Sequence, residues 1–150
     1  AKIRGICLRT TLIAGFPGET REDVEELKEF LAEMQFERVG IFTYSHEEDT
    51  SAYAFEDTLT AEEKEARAQE IIEFQQEISF EKNKAYLGQT MRVVIDKKEA
   101  GRYIGRTEFD SVEVDNEVIV HSTKKLSPGD FVQVKITKAY DYDLEGEVIH

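Results

Sequence analysis

Residues 9–20 read Arg9-Thr10-Thr11-Leu12-Ile13-Ala14-Gly15-Phe16-Pro17-Gly18-Glu19-Thr20. Apolar and β-branched residues run from Ile6 to Ala14, which predicts a buried parallel strand over 6–14. Gly15-Phe16-Pro17-Gly18 is turn chemistry, because glycine reaches positive φ and proline presets its own φ. Thr20 stands three residues before Asp23, the spacing of a helix capping box. Val24, Leu27, Phe30, Leu31 and Met34 then recur at helical intervals with acids between them. A second strand is predicted over 38–44. Strand, helix, strand is a βαβ unit, whose strands lie parallel. Both strands read as buried on both faces. In α/β folds the edge where a strand ends and a helix begins is where ligands bind. Gly15 and Gly18 lack a Cβ and let a ligand approach the backbone. A plain tight turn before a capped helix explains the same residues.

Further along, residues 45–59 form a connection long enough to suggest a functional loop. Thr60 and Glu63 repeat the capping pattern and open a helix with Ile71, Ile72, Phe74 and Ile78 on its apolar face. That helix stops near 85–89, where Gly88 can cap its end. The character of the chain changes there, so the expected division is 1–84 (α/β) and 85–150 (all-β). In the second part side chains alternate by twos. Strands are expected at 91–95, 102–107, 112–120, 131–136 and 144–149. Turn residues stand at Asp115-Asn116, Ser127-Pro128-Gly129-Asp130 and Tyr140-Asp141-Tyr142-Asp143. Five short strands predict a small antiparallel OB-like barrel. No internal repeat is visible. Two parallel strands and two helices do not complete a domain, so the first part reads as a piece of a larger α/β structure within a longer polypeptide. A complete small α+β domain is the alternative.

The 150 residues carry 32 Asp and Glu against 19 Lys and Arg, a net charge of −13. The excess sits mostly in 1–84, with 20 acids against 10 bases. This balance argues against a broad nucleic-acid surface and suits a basic partner. No apolar run is long enough for a membrane span, and no secretory signal is present, so a cytoplasmic setting is expected. One cysteine, Cys7, supplies neither an internal disulfide nor a zinc site by itself; it reads as a small core residue. His46, His121 and His150 show no metal spacing, and His46-Glu47-Glu48-Asp49 reads as a solvated acidic loop. Lys97, Lys98, Lys124 and Lys125 form small basic spots.

The wording of residues 10–20 closely resembles the late-strand segment of the radical S-adenosylmethionine methylthiotransferases. The likeness continues, in the family's order, through Phe42-Thr43-Tyr44-Ser45, Glu47-Glu48-Asp49-Thr50-Ser51-Ala52, Gln75-Gln76-Glu77-Ile78-Ser79 and Asn83. The all-β end resembles the TRAM domain of the same enzymes. Four stretches there resemble the members that modify a ribosomal protein: Gly105-Arg106-Thr107, Asp110-Ser111-Val112-Glu113-Val114-Asp115, Pro128-Gly129-Asp130-Phe131-Val132 and Tyr142-Asp143-Leu144-Glu145-Gly146. The resemblance implies a fold in which 1–84 is the C-terminal βαβα portion of a partial (β/α) radical SAM barrel and 85–150 is the TRAM barrel.

The same resemblance implies methylthio transfer to an aspartate β-carbon of a small-subunit ribosomal protein. It implies S-adenosylmethionine and two 4Fe-4S clusters as cofactors of the full-length enzyme. The cysteine triplets that hold those clusters in the family are absent, and clusters need thiolates. This chain alone is therefore expected to bind no cluster, to hold no metal and to contain no catalytic residue. The family's late-strand Gly-x-Ile-x-Gly-x-x-Glu pattern lies near the adenine. Thr11, Ile13 and Gly15 occupy its first three marked positions, and Glu19 falls one residue late, with Pro17 and Gly18 between. These residues and Tyr44 are the implied cofactor-binding set. A core tyrosine with a polar tip is the other reading of Tyr44. Glu108, Asp110, Glu113, Asp115 and Glu117 form the expected acidic surface for a basic protein substrate, with RNA disfavoured and no membrane contact. The alternatives are a tRNA (adenosine) methylthiotransferase with an RNA-binding barrel, and a stand-alone binding module.

Overall fold

Alternation along β1 (Arg9–Ala14) decides what the first part buries. Leu12 and Ala14 point toward the helices, while Thr11 and Ile13 point away. The computed structural model describes residues 3–110 and 116–150. It places β1 parallel to β2 (Arg38–Thr43), with Arg9 opposite Arg38 and Ala14 opposite Thr43. The strand starts at Arg9 rather than Ile6, and Cys7 lies half-buried ahead of it, outside the apolar core. Helix α1 (Arg21–Met34) and helix α2 (Ala61–Lys84) cover one face of the sheet pair. Ala14, Val24, Leu31, Phe36, Ala68, Ile71 and Ile78 form the core. The opposite face is open among the described residues: Ile13 is 56% and Phe42 61% exposed. The expectation of strands buried on both faces is thus corrected. Of the apolar residues at helical intervals along α1, Phe30 and Met34 lie at the exposed margin of the stripe.

Both helix starts are capped as their sequences require. The Thr20 hydroxyl accepts from the Asp23 N–H at 3.2 Å, and the Asp23 carboxylate accepts from the Thr20 N–H at 2.7 Å. Thr60 and Glu63 exchange the same pair of bonds at 3.1 and 2.8 Å. The α1 end is closed by Gln35 in the left-handed region, φ 50°.

Charges tie the two helices together within this unit. The Glu70 carboxylate accepts from the Arg21 guanidinium at 2.5 and 2.6 Å and from Lys28 at 2.6 Å. Hydrogen bonds from Arg21, then Lys28, hold the Glu70 carboxyl down from 4.5 to about 2. A depressed carboxyl pKa stabilises the fold above the unfolded value and loses that effect as pH falls toward the folded one. Glu70→Gln is therefore expected to cost about 1 kcal/mol at neutral pH, as for an exposed ion network. That difference should shrink between pH 4.5 and about 2. Urea unfolding of both proteins at pH 7 and pH 2 checks it; an equal gap at both values contradicts the ion network.

The chain divides into two units, Ala1–Ile78 and Ser79–His150. In the second, β3 (Thr90–Glu99), β4 (Arg102–Thr107), β5 (Val118–His121), β6 (Phe131–Ala139) and β7 (Leu144–Val148) form a closed barrel in the order β3-β4-β5-β7-β6. Four of the five pairings are antiparallel, but β5 and β7 run parallel, with Val118 opposite Leu144. The barrel is therefore mixed, which corrects the antiparallel expectation. The reason is parity: directions cannot alternate around a closed ring of five. The expected third strand is shorter, starting at Val118; its 112–115 portion, with Asp115 of the expected turn, lies outside the described residues. Val93, Ile95, Tyr103, Val118, Val120, Val134, Ile136 and Leu144 fill the interior. At the entry to the barrel Gly88 takes φ 79°, and its N–H reaches the Ile136 carbonyl at 2.9 Å.

Two hairpins of the barrel use one device. Gly105 lies opposite Ile95, beside a register shift between Ile95 and Lys97. Gly146 lies opposite Ile136, beside a register shift between Ile136 and Lys138. A Cβ on Gly105 would land on the Val94 carbonyl oxygen and the Val93 side chain; on Gly146 it would land on the Lys135 carbonyl oxygen and the Val134 side chain. Val93 and Val134, Ile95 and Ile136, and Tyr103 and Leu144 match at the same spacing, and all six are buried. In the residue identities this correspondence survives only at scattered positions (Val93 and Val134, Ile95 and Ile136, Gly105 and Gly146), and it becomes plain through the bulges, where strands bend and close the barrel.

Candidate functional site

The carboxyl ends of β1 and β2 finish level, because the Tyr44 N–H donates to the Ala14 carbonyl at 2.8 Å. Gly15 then takes φ 79° and is buried. A Cβ there would overlap the Lys64 side-chain stem, so glycine is required twice over. Glu19 folds back over this turn. One carboxylate oxygen accepts from the Gly15 N–H at 3.1 Å and the other from Arg67 at 3.0 Å. Arg67 also donates to the Glu19 carbonyl at 2.8 Å. The Glu19 carboxylate, 11% exposed, is thus a clasp that sets the shape of the turn. Pro17 is half-buried within the turn, and Gly18 is exposed at φ 85°.

Thr11 and Ile13 lie on the open face of the strands, with Ile13 opposite Phe42 and Thr11 opposite Gly40. This face and the turn meet at the end of β1, so Thr11, Ile13 and Gly15 are neighbours along one strand. Tyr44 is half-buried. Its ring meets Phe16 edge-on at 5.3 Å, its hydroxyl lies 3.1 Å from His46 Nδ1, and Lys64 Nζ sits 5.1 Å over its face. Lys64 is itself buried and pairs with Asp57 at 2.5 Å. Lys64 and Arg67 are functional neighbours that sequence reasoning missed. Their signal was present: they are the two basic residues between Arg38 and Lys82 in an otherwise acidic stretch.

Three of the five residues expected to form the acidic surface of the barrel are among the described residues. Glu108 is exposed and Glu117 half-buried, with the Glu117 N–H donating to Asp143 at 2.9 Å. Asp110 is corrected: it is buried and accepts from the Thr107 hydroxyl at 2.8 Å, closing its own turn. Glu113 and Asp115 lie outside the described residues. A different carboxylate is the hub of the barrel surface. Glu145 accepts from Tyr140 at 2.6 Å and meets His121 at 2.8 Å and Lys138 at 3.6 Å. Hydrogen bonds from Tyr140 and then His121 hold its carboxyl below the ordinary range. On the β3–β6 face Arg92 lies 4.4 Å over the Phe131 ring, which is 63% exposed.

Among the described residues no group of three or more His, Cys, Asp or Glu could hold a metal ion, and no helix is long and apolar enough to cross a membrane. Iron–sulfur clusters are held by several thiolates. With one cysteine the chain cannot supply such a set, so the clusters do not fit the residues present.

Residues 87–149 match the TRAM domain family. The chain is also 53% identical over 148 residues to the ribosomal protein uS12 methylthiotransferase RimO of Flavobacterium psychrophilum, covering 98% of this chain and 34% of that protein. Along almost its whole length the chain is therefore similar to proteins named RimO. The RimO proteins of Cytophaga hutchinsonii (50% identical, 99% of this chain, 34% of that protein) and Chlorobium luteolum (49%, 95% and 34%) match in the same way. The chain spans about a third of the length of the curated relatives it matches. The residues that match the TRAM domain family are those of the closed barrel, and the likeness to the RimO proteins extends through the α/β unit that carries the Gly15 turn.

Proposed function

We propose that this chain works as one part of a longer radical SAM methylthiotransferase that adds a methylthio group to an aspartate β-carbon of the small-subunit ribosomal protein uS12. The observation that carries this reading is about 50% identity to proteins of that name along essentially the whole chain. The cluster ligands belong to other parts of such an enzyme, so the chain alone transfers nothing, and its setting is cytoplasmic. S-adenosylmethionine supplies the radical chemistry when the whole enzyme is loaded. The chain's own part is binding and shape. Thr11 and Ile13 offer an open, partly apolar strand face to the adenine, a fit supported by the 56% exposure of Ile13. Glu19 acts indirectly: its clasp on Gly15 keeps the turn in the form that lets a ligand approach beside Pro17 and Gly18. Tyr44 closes the adjacent end of β2.

The TRAM domain is assigned to substrate recognition, with Glu108 and Glu117 as its described acidic contacts and Glu113 and Asp115 completing the set. A second reading, a tRNA substrate, is favoured by the exposed Phe131 with Arg92 stacked on it, since nucleic-acid bases stack on such platforms. The net charge of −13 weighs against it. The experiment that decides is transfer itself: the chain is grafted in place of the matching third of a RimO relative, and the macromolecule that gains the methylthio group is identified.

A further inference from the structure

Five rings form a continuous chain at the carboxyl end of β1 and β2. Phe55 meets Phe16 edge-on at 6.2 Å, Phe16 meets Tyr44 at 5.3 Å, Tyr44 meets His46 at 6.0 Å, and His46 stacks on Tyr53 at 4.6 Å. Four of them are open to solvent: His46 is exposed, and Phe16 is 41%, Tyr53 45% and Phe55 57% exposed. Contiguous exposed aromatic surface of this kind marks an interaction site more often than chance. The stretch that carries four of the rings, 44–57, also holds Glu47, Glu48, Asp49, Glu56 and Asp57 and contains no Lys or Arg. The nearest cation, Lys64, is buried and committed to Asp57. Ring faces carry negative potential and attract cations, and Arg or Lys side chains gain further from nearby carboxylates.

We propose that this aromatic row with its acidic border is a docking surface for a Lys/Arg-bearing peptide segment, taken along the row with its cations over the Tyr53 and Phe55 faces. Charge complementarity selects that occupant: an acidic peptide or the phosphates of an RNA would be repelled by the carboxylate border, whatever rings or bases gain by stacking. The inference rests on the reading of a basic protein substrate and assigns that substrate a contact on the α/β unit in addition to the barrel. It makes the 45–59 connection a recognition loop. The Ser45 hydroxyl donates to Glu47 at 2.5 Å and the Thr50 hydroxyl to the Glu47 carbonyl at 2.8 Å, so the loop is shaped in advance of binding.

The test uses the 150-residue chain and fluorescein-labelled peptides of Lys, Arg and Gly, of Glu and Gly, and of Ser and Gly, with a labelled single-stranded RNA oligomer. Fluorescence anisotropy should show binding of the basic peptide only. Tyr53→Ala with Phe55→Ala should weaken it roughly ten-fold, and circular dichroism should be unchanged because both side chains are exposed. Glu47→Gln with Glu48→Gln should weaken binding and flatten its salt dependence. Equal binding of the three peptides, binding of the RNA instead, or full retention by the ring variants would overturn the proposal. In the grafted enzyme the Tyr53 and Phe55 variants should raise KM for the protein substrate with kcat little changed; an unchanged KM would show that the row is covered by the enzyme's own chain. If the graft modifies tRNA while the basic peptide still binds the row, the substrate reading fails and the docking surface stands.

Discussion

Alanine at Gly105 or at Gly146 is expected to open the barrel, at a cost of about 2–4 kcal/mol each. The new Cβ would land on a carbonyl oxygen of the neighbouring strand and on the side chain of a fully buried valine. Neither can yield easily. The carbonyls belong to strands locked on both sides in a closed sheet, and Val93 and Val134 face the interior with no free volume to enter. Alanine at Gly129 is the comparison. There φ is 91° but nothing lies within 4 Å of a Cβ, so only backbone strain of about 1–2 kcal/mol applies. Urea unfolding followed by near-ultraviolet circular dichroism separates the two cases. Gly105 and Gly146 carry no left-handed φ, so losses there no larger than at Gly129 would contradict the cost assigned to the strand approach.

Alanine at Gly15 should have the second large effect. It combines a left-handed φ of 79° with a collision against the Lys64 stem, together worth about 2–4 kcal/mol in the first unit. Pairing it with Lys64→Ala separates the two contributions. Lys64→Ala removes the Cγ contact but keeps its own Cβ, 2.9 Å from the new methyl, and leaves the φ strain, so the double variant should recover only part of the loss beyond additivity. In the grafted enzyme Gly15→Ala should weaken S-adenosylmethionine binding by equilibrium dialysis. It shifts the amide that Glu19 holds, and with it the turn next to Ile13. Hydrogen exchange of amides 9–20 reports the turn directly, apart from any catalysis.

Local signals in the sequence translated well. Thr20 with Asp23 and Thr60 with Glu63 became two capping pairs, and the apolar runs became parallel β1 and β2. These features depend on neighbours three residues apart or on strand composition. Features that depend on distant partners did not translate. Glu19 looked like a ligand because the residue that commits it, Arg67, is 48 positions away. Asp110 looked like surface charge, yet the Thr107 hydroxyl draws it inward. Ile13 and Phe42 looked like core, because composition cannot say that one face of a strand pair stays uncovered. The parallel β5–β7 pairing was implicit in an odd strand count once the barrel is closed. The ring row from Phe55 to Tyr53 could not be read at all, since it joins the β1 turn to the loop after β2.

The most direct test of the substrate and reaction is a mass measurement on the grafted enzyme. The segment of Flavobacterium psychrophilum RimO that this chain matches, about a third of that protein, is exchanged for residues 1–150. The clusters are reconstituted, and ribosomal protein uS12 and bulk tRNA are offered together with S-adenosylmethionine. The account predicts that uS12 gains the mass of one CH3S group in place of one hydrogen, located by fragmentation on an aspartate, while tRNA is unchanged. Methylthiolated adenosine in the tRNA with unmodified uS12, from a graft that binds S-adenosylmethionine normally, would contradict it.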